Sequence, residues 1–223
     1  MKIYFKNRCL QLLKPDADFN GQITVPESAQ ELEQILRDFE KRSRLSELAL
    51  SSPDYKQLKR DIKSLFTIVE AAGGFVRNEK GEILFIFRRG KWDLPKGKIE
   101  RRGEGRRTRD EGRRTREEER KMKIEHRKAE AVREVKEETG IGEVKVIRKM
   151  KPTYHVFHEK GVRMLKKSYW FEMTAPKDQK LVPQLEEDIR FVRWFLPEDL
   201  GIVLKNTFGS LREMVEENLH RLP

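Results

Sequence analysis

Apolar and polar side chains alternate loosely through residues 2–13 on either side of Asn7-Arg8, which predicts a strand pair followed by the loop PDADFNG. The period then lengthens. Leu32, Ile35, Leu36 and Phe39 recur on one helical face, and Ser28 with Glu31 three residues later makes a capping box in front of them. Ser52-Pro53 is read as a second helix start, with Tyr55, Leu58, Ile62, Leu65 and Phe66 as the buried stripe. Residues 1–66 are therefore expected to form a small N-terminal accessory subdomain of one strand pair and two helices.

From residue 67 the pattern turns to β. TIVEAAGGFVRN, the turn NEKG and EILFIFRR predict a hairpin that leads into GKWDLPKGK. A long charged stretch follows, then the helix AEAVREVKEET, stopped by Gly140 as a left-handed cap with Ile141 behind it. EVKVIRKM, TYHVFH, MLKKSYWFEM and DIRFVRWF are further strands, and EKG is a hairpin turn. A closing helix carries Leu204, Phe208, Leu211, Val215, Leu219 and Leu222 on one stripe. Strands on both sides of a central helix imply an α/β (α+β) fold, a mixed sheet sandwiched between helices, over residues 67–223.

Charged residues (39%) outnumber hydrophobic ones (36%), so part of the length must be solvated surface. The formal charge of +11 attracts polyanions, but 13 basic against 8 acidic residues in 100–128 place +5 of it in one tract. That tract, an insertion at about 101–124, contains EGRRTRD followed by EGRRTRE, a near-perfect duplication. Three readings stand side by side: a solvated excursion; a helix capped by Thr115 and Glu118 that extends the next helix backward; or arginines that touch RNA or a polyphosphate. Cys9 is the only cysteine, which excludes an internal disulfide framework and a thiolate metal cluster. Neither a signal peptide nor a membrane span is read in the chain, so the cytoplasm is the expected location.

Glu134, Glu137 and Glu138 stand at i, i+3 and i+4, which gathers three carboxylates on one helix face, with Glu130 one turn earlier. Clustered hard oxygen donors suit Mg2+ or Mn2+, ions that also bind substrate phosphates, whereas a plain acidic surface is the bland alternative. Upstream, WDLPKGK brings backbone and two lysines, Lys96 and Lys98, near one place, where they can hold phosphate as point charges. Arg88 and Arg89 end a strand just before it and are further candidates for phosphate contact.

These residues resemble the Nudix box: Gly, five residues, Glu, seven residues, Arg-Glu, an aliphatic, any residue, Glu-Glu, any residue, Gly, aliphatic. Glu125 is followed by seven residues and then Arg133-Glu134-Val135-Lys136-Glu137-Glu138-Thr139-Gly140-Ile141 without a gap. The first half is split, because 27 residues separate Gly97 from Glu125 where the pattern has five; Glu104 is the other candidate for the first glutamate. The resemblance covers roughly residues 68–200. It implies a Nudix-like fold, metal ligation by Glu134, Glu137, Glu138 and the Gly97 carbonyl, and an orienting role for Arg133. A further metal-binding glutamate from a later loop would be Glu187 or Glu186.

The implied activity is metal-dependent hydrolysis of phosphoanhydride bonds in nucleoside diphosphate derivatives or dinucleoside polyphosphates. The expected partner is a nucleoside diphosphate-type small molecule, with RNA the weaker option, no membrane, and a homodimer open. The rival is a non-catalytic Nudix-like module that binds a nucleotide or RNA. Trp92, Trp170 and Trp194 are read as packing residues, His155 and His158 as structural or solvent-facing, with Tyr154 and His155 also weighed as substrate contacts.

Overall fold

A computed structural model describes residues 1–42, 44–100 and 115–219. In chain order the first elements are β1 (Lys2–Phe5), β2 (Arg8–Leu13), β3 (Ile23–Thr24), α1 (Ala29–Lys41), β4 (Glu47–Ser51) and α2 (Tyr55–Ser64). There follow β5 (Thr67–Arg77), β6 (Ile83–Arg88), β7 (Lys91–Asp93), β8 (Lys96–Lys98) and α3 (Arg116–Thr139). The chain continues through β9 (Lys145–Lys149), β10 (Thr153–Glu159), β11 (Val162–Thr174), β12 (Ile189–Phe195), α4 (Leu200–Lys205) and α5 (Gly209–Leu219). The fold is mixed α/β. Among the described residues no helix is long and apolar enough to cross a membrane.

Two compact units divide the chain. The first comprises residues 1–69, 153–167 and the described part of the C-terminal segment from 208. Its strands β10, β1, β2, β4 and β3 pair in that order, parallel at β10–β1, β2–β4 and β4–β3 and antiparallel at β1–β2. Ile3, Phe5, Leu10 and Leu12 point to one face, where they pack with Leu32, Leu36 and Phe39 of α1 and Leu58 and Ile62 of α2. Tyr4 points the other way and donates to Glu213 of α5 at 2.7 Å, so helices cover both faces of this sheet.

Segments 153–167 and 208 onward join this unit although the sequence reading confined it to residues 1–66. The reason is the parallel β1–β10 pairing and the docking of α5, neither of which has a local signature. Strand β4 was likewise absent from the sequence reading: its five residues, ELALS, lie between two helix signals and are too few to show a period. Ser28 caps α1 as expected, but Glu31 reaches the Glu27 N–H rather than closing the box on Ser28. The second helix is capped by Asp54, not started at Pro53.

The second unit covers residues 70–152 and 168–207. Strands β12, β6 and β5 and the second half of β11 pair in that order; β7 adds to β6, β8 to β5 and β9 to β11. One face packs Ala72, Val76, Leu84, Ile86, Phe171, Met173 and Val192 against Ala131 and Val135 of α3. That helix begins at a reciprocal Thr115–Glu118 capping box, so of the three readings of the insertion its C-terminal part takes the helical one; residues 101–114 lie outside the described residues. Gly140 ends the helix at φ 76°, as expected.

The single closing helix expected from the Leu204–Leu222 stripe is instead two, α4 and α5; Leu222 lies outside the described residues. Residues 206–207 break it because their polar groups are committed elsewhere. Asn206 Nδ2 donates to the Gly90 carbonyl at 2.9 Å, the Trp92 N–H donates to the Asn206 carbonyl at 3.0 Å, and Thr207 Oγ1 donates to the Trp92 carbonyl at 2.7 Å. These bonds anchor β7, the strand that carries Asp93. Thr207→Val keeps the volume of this buried side chain and removes the hydroxyl. It should lower unfolding free energy in urea by about 1 to 2 kcal/mol; an unchanged midpoint would show that the latch is not needed.

Candidate functional site

The site is built where β7, the turn at Leu94-Pro95 and β8 meet α3, all within the second unit. Strand β5 makes room for the turn: a side chain at Gly73 would lie 2.3 Å from the Pro95 carbonyl oxygen, and the Gly74 N–H donates to that oxygen at 3.0 Å. Gly97 then passes directly over the acidic face of α3. A Cβ on Gly97 would fall 1.9 Å from Glu134 Oε2, so any larger residue would displace that carboxylate from its place.

Glu138 is the most enclosed carboxylate of the chain's acidic helix face, at 1% exposure. It accepts the Lys96 backbone N–H at 2.6 Å and the Arg88 guanidinium at 3.3 Å. Burial pushes its pKa up to about 7; the Lys96 ammonium and N–H and Arg88 oppose the shift, while the nearby Asp93 adds to it. Glu134 is also raised by burial, against the pull of Arg133 and with the Glu137 charge reinforcing it.

Arg133 spans the rest of the face. Its Nη2 donates to Glu134 at 2.6 Å and Glu130 at 3.0 Å, and its Nη1 to Glu137 at 2.6 Å. Among the described residues no three His, Cys, Asp or Glu side chains are grouped so as to hold an ion. Glu134 and Glu138 thus reach the Lys96-Gly97 turn, Glu137 lies farther out on the same helix face and pairs with Arg133, and guanidinium groups lie between the carboxylates.

The remaining candidates fall at graded distances from this centre. Arg88 bridges Glu138 and Glu187, which brings Glu187 to the site through an arginine; Glu186 has no ion pair among the described residues. Lys96 turns its ammonium to Asp93, and Lys98 is exposed on β8. Arg89 stands apart on the surface, paired with Asp188 at 3.0 Å. Trp92 packs edge-on against Phe87 and Phe195 with ring centroids 5.0 and 4.8 Å away. Trp170 is buried and Trp194 half-buried. Tyr154 and His155 belong to β10 in the first unit, where His155 lies against Phe208.

Two residues matter more than the sequence suggested. Asp93 is buried and receives both the Lys96 ammonium and the Leu94 N–H, which fixes the turn from below. Glu130, noted in the sequence only for its place on the helix face, accepts the Glu100 N–H at 3.1 Å as well as Arg133. Despite its burial, those two donors hold its carboxyl below the usual range. It ties the segment after Gly97 to the helix, a task that Glu125 does not perform. Glu125 sits half a turn round from Glu134, is exposed and pairs with Lys128; Glu104 lies outside the described residues.

The family model for the NUDIX domain matches residues 124–217. Among solved structures, the chain is similar to the MutT protein from Methanosarcina mazei Go1 at 22% identity, over 70% of this chain and 95% of that one, with a TM-score of 0.43. It is also similar to the C. elegans Ap4A hydrolase at 18% identity (70% and 100% covered, TM-score 0.45) and to a NUDIX hydrolase from Nitrosomonas europaea at 17% (70% and 90%, TM-score 0.45). No curated protein matches the chain.

The Glu138 environment has a consequence for stability. A carboxyl with an ordinary value near 4.5 when unfolded and about 7 when folded favours the folded state fully below pH 4.5. That contribution, on the order of 3 kcal/mol, is lost as pH rises through 7. In EDTA, wild-type unfolding free energy should therefore fall between pH 5 and 8, and more steeply than that of Glu138→Gln. Parallel pH profiles would show that the carboxyl is not held in this way.

Proposed function

Starting from a chain that carries a Nudix domain, we propose a divalent-metal-dependent hydrolase that cleaves phosphoanhydride bonds in nucleoside diphosphate derivatives or dinucleoside polyphosphates. What carries this reading is the close packing of the Glu134 and Glu138 carboxylates on the backbone of Lys96-Gly97. Such packing buries acidic groups at a cost, and their raised pKa values record it. A cation would reverse that cost.

The donor chemistry suits a hard ion, although no three of the described acidic side chains are grouped to hold one: carboxylates of Glu134, Glu137, Glu138 and Glu187 and the Gly97 carbonyl would hold Mg2+ or Mn2+ once Arg133 and Arg88 yield the oxygens. When bound, the ion supplies a water of lowered pKa and neutralises charge on the bridging phosphates. The chain's own residues do the rest. Lys98, Lys96 and Arg88 hold the phosphates, Arg89, on the surface with Asp188, would have to leave that partner to join them, and Arg133 orients the carboxylates it now spans. A glutamate of this face accepts the proton of the water that attacks phosphorus, and the P–O anhydride bond breaks without a covalent enzyme intermediate.

One observation favours the non-catalytic alternative: Arg133 already neutralises three carboxylates, as a domain that binds nucleotides without turnover would do. Incubation with Mg2+ and a panel of nucleotide sugars, dinucleoside polyphosphates and capped or triphosphorylated RNA separates the two. Turnover of any member that EDTA abolishes is expected; binding without turnover across the panel would leave only the binding module.

Two substitutions bear on the site. Glu137→Gln should lower kcat roughly 10²- to 10⁴-fold with little change in unfolding midpoint, since the side chain is 45% exposed. Gly97→Ala should lose activity to a similar degree by displacing Glu134, and wild-type rates in both would remove the turn and the helix face from the chemistry.

A further inference from the structure

Helix α3 continues for several turns N-terminal to its acidic face, and although its first turn carries Glu117, Glu118 and Glu119, one row along it is basic. Arg116, Arg120, Lys123 and Arg127 follow one another at intervals of four, three and four residues, which places them in one row in line with Glu130 and Glu134. Arg127 fixes the near end of the row: its guanidinium lies 3.8 Å over the Tyr169 ring and donates to Glu70 at 3.2 Å. Beyond it the helix is exposed from Arg116 through Lys123.

The pairing of charges on this extension is selective. Lys121 pairs with Glu117 at 3.0 Å and Lys128 with Glu125 at 3.5 Å, all four off the row. Among the described residues Arg116, Arg120 and Lys123 have no ion pair. Glu117 and Glu119 stand three or four residues from these cations, yet no ion pair joins them, so the three aligned cations are open to a partner.

Distance decides what that partner is. At 1.5 Å per residue, Lys123, Arg120 and Arg116 stand about 17, 21 and 27 Å along the axis from Glu134. A substrate of one or two nucleosides on a short phosphate chain ends well before Arg116. Only a polyanion that repeats its charge can reach the hydrolytic centre and the row together.

We infer that the exposed row Arg116–Arg120–Lys123 binds the phosphate backbone of a single-stranded RNA whose 5′-terminal phosphoanhydride lies at the Glu134–Glu138 face. This rests on the proposed hydrolase reading and names its substrate class. RNA is the polynucleotide that carries an anhydride at its 5′ end as synthesised, and a single file of cations follows one strand. Hydrolysis adds one water across one P–O–P linkage, leaving a shortened 5′ phosphate on the RNA and releasing phosphate or pyrophosphate.

The test uses the full chain, with Arg116→Gln/Arg120→Gln/Lys123→Gln against an off-row control, Lys121→Gln/Lys128→Gln/Lys136→Gln, of equal charge. Glutamine preserves helix propensity. Two readouts are taken: Mg2+-dependent hydrolysis of a 5′-triphosphorylated 20-mer and of a dinucleoside tetraphosphate, and anisotropy binding of a labelled 20-mer over a salt series. The row variant should raise KM for the RNA roughly tenfold or more, leave dinucleotide hydrolysis unchanged, and reduce the slope of log K against log salt by about 2, near 0.7 per lost contact. The control should match wild type.

Equal RNA affinity and KM in the two triple variants would overturn the inference while leaving the hydrolase reading standing. If wild type cleaves nothing, that reading fails, and the anisotropy series still judges the row. Binding to inorganic polyphosphate that drops in the row variant while RNA binding does not would overturn RNA as the occupant.

Discussion

The contact between the acidic face of α3 and the Lys96-Gly97 turn is the constraint on which the candidate site depends. It joins two chain segments that the sequence separates by a long insertion, and it works by backbone: an N–H of Lys96 to Glu138 and the bare Cα of Gly97 against Glu134. Lengthening the spacing from five residues to 27 costs at most about 1.5 kcal/mol of closure entropy, because that cost grows only with the logarithm of length. Asp93 beneath the turn and Glu130 beyond it together offset such a cost, each by bonding a backbone N–H and a cation.

The electrostatics of the face follow from the same packing. Four glutamates within nine residues are held by one arginine and by the bridge from Arg88, which leaves Glu138 too deeply buried to be neutralised in full. The arginines act as counter-ions to the glutamates, and any cation drawn to this face would have to compete with them for the same oxygens. Its affinity would then be a difference between two sets of contacts, in which arginine geometry counts as well as ligand identity.

The elements easiest to read in the sequence were those specified by neighbours along the chain. Ser28 at a helix start, Gly140 at a helix stop and the hairpin at residues 78–81 each depend on a few adjacent residues, and all three appear where the pattern placed them. Glu134, Glu137 and Glu138 were legible for the same reason: helical spacing alone puts them on one face. What escaped depends on distant partners. Glu130 looks like one more acid until Glu100 reaches it; Asp93 escaped for another reason, because Lys96, although close in the chain, folds back on it through a turn that no periodicity marks. The stripe from Leu204 to Leu219 has sound helical periodicity, yet it is interrupted because residues 206 and 207 bond to a strand more than a hundred residues earlier. Glu125 satisfied a spacing rule and still faces away, since nine residues are two and a half helical turns.

The discontinuous make-up of the first unit sets an order on biosynthesis. Strand β1 waits for its parallel neighbour β10, some 150 residues later, and for α5 near the C-terminus, whereas α1, α2 and their strands emerge from the ribosome early. During that interval Tyr4 and the outer face of the N-terminal hairpin lack the helix that later covers them. Non-local parallel pairings form slowly, so nascent chains are most prone to self-association during that interval, and losing α5 would harm the first unit more than α3.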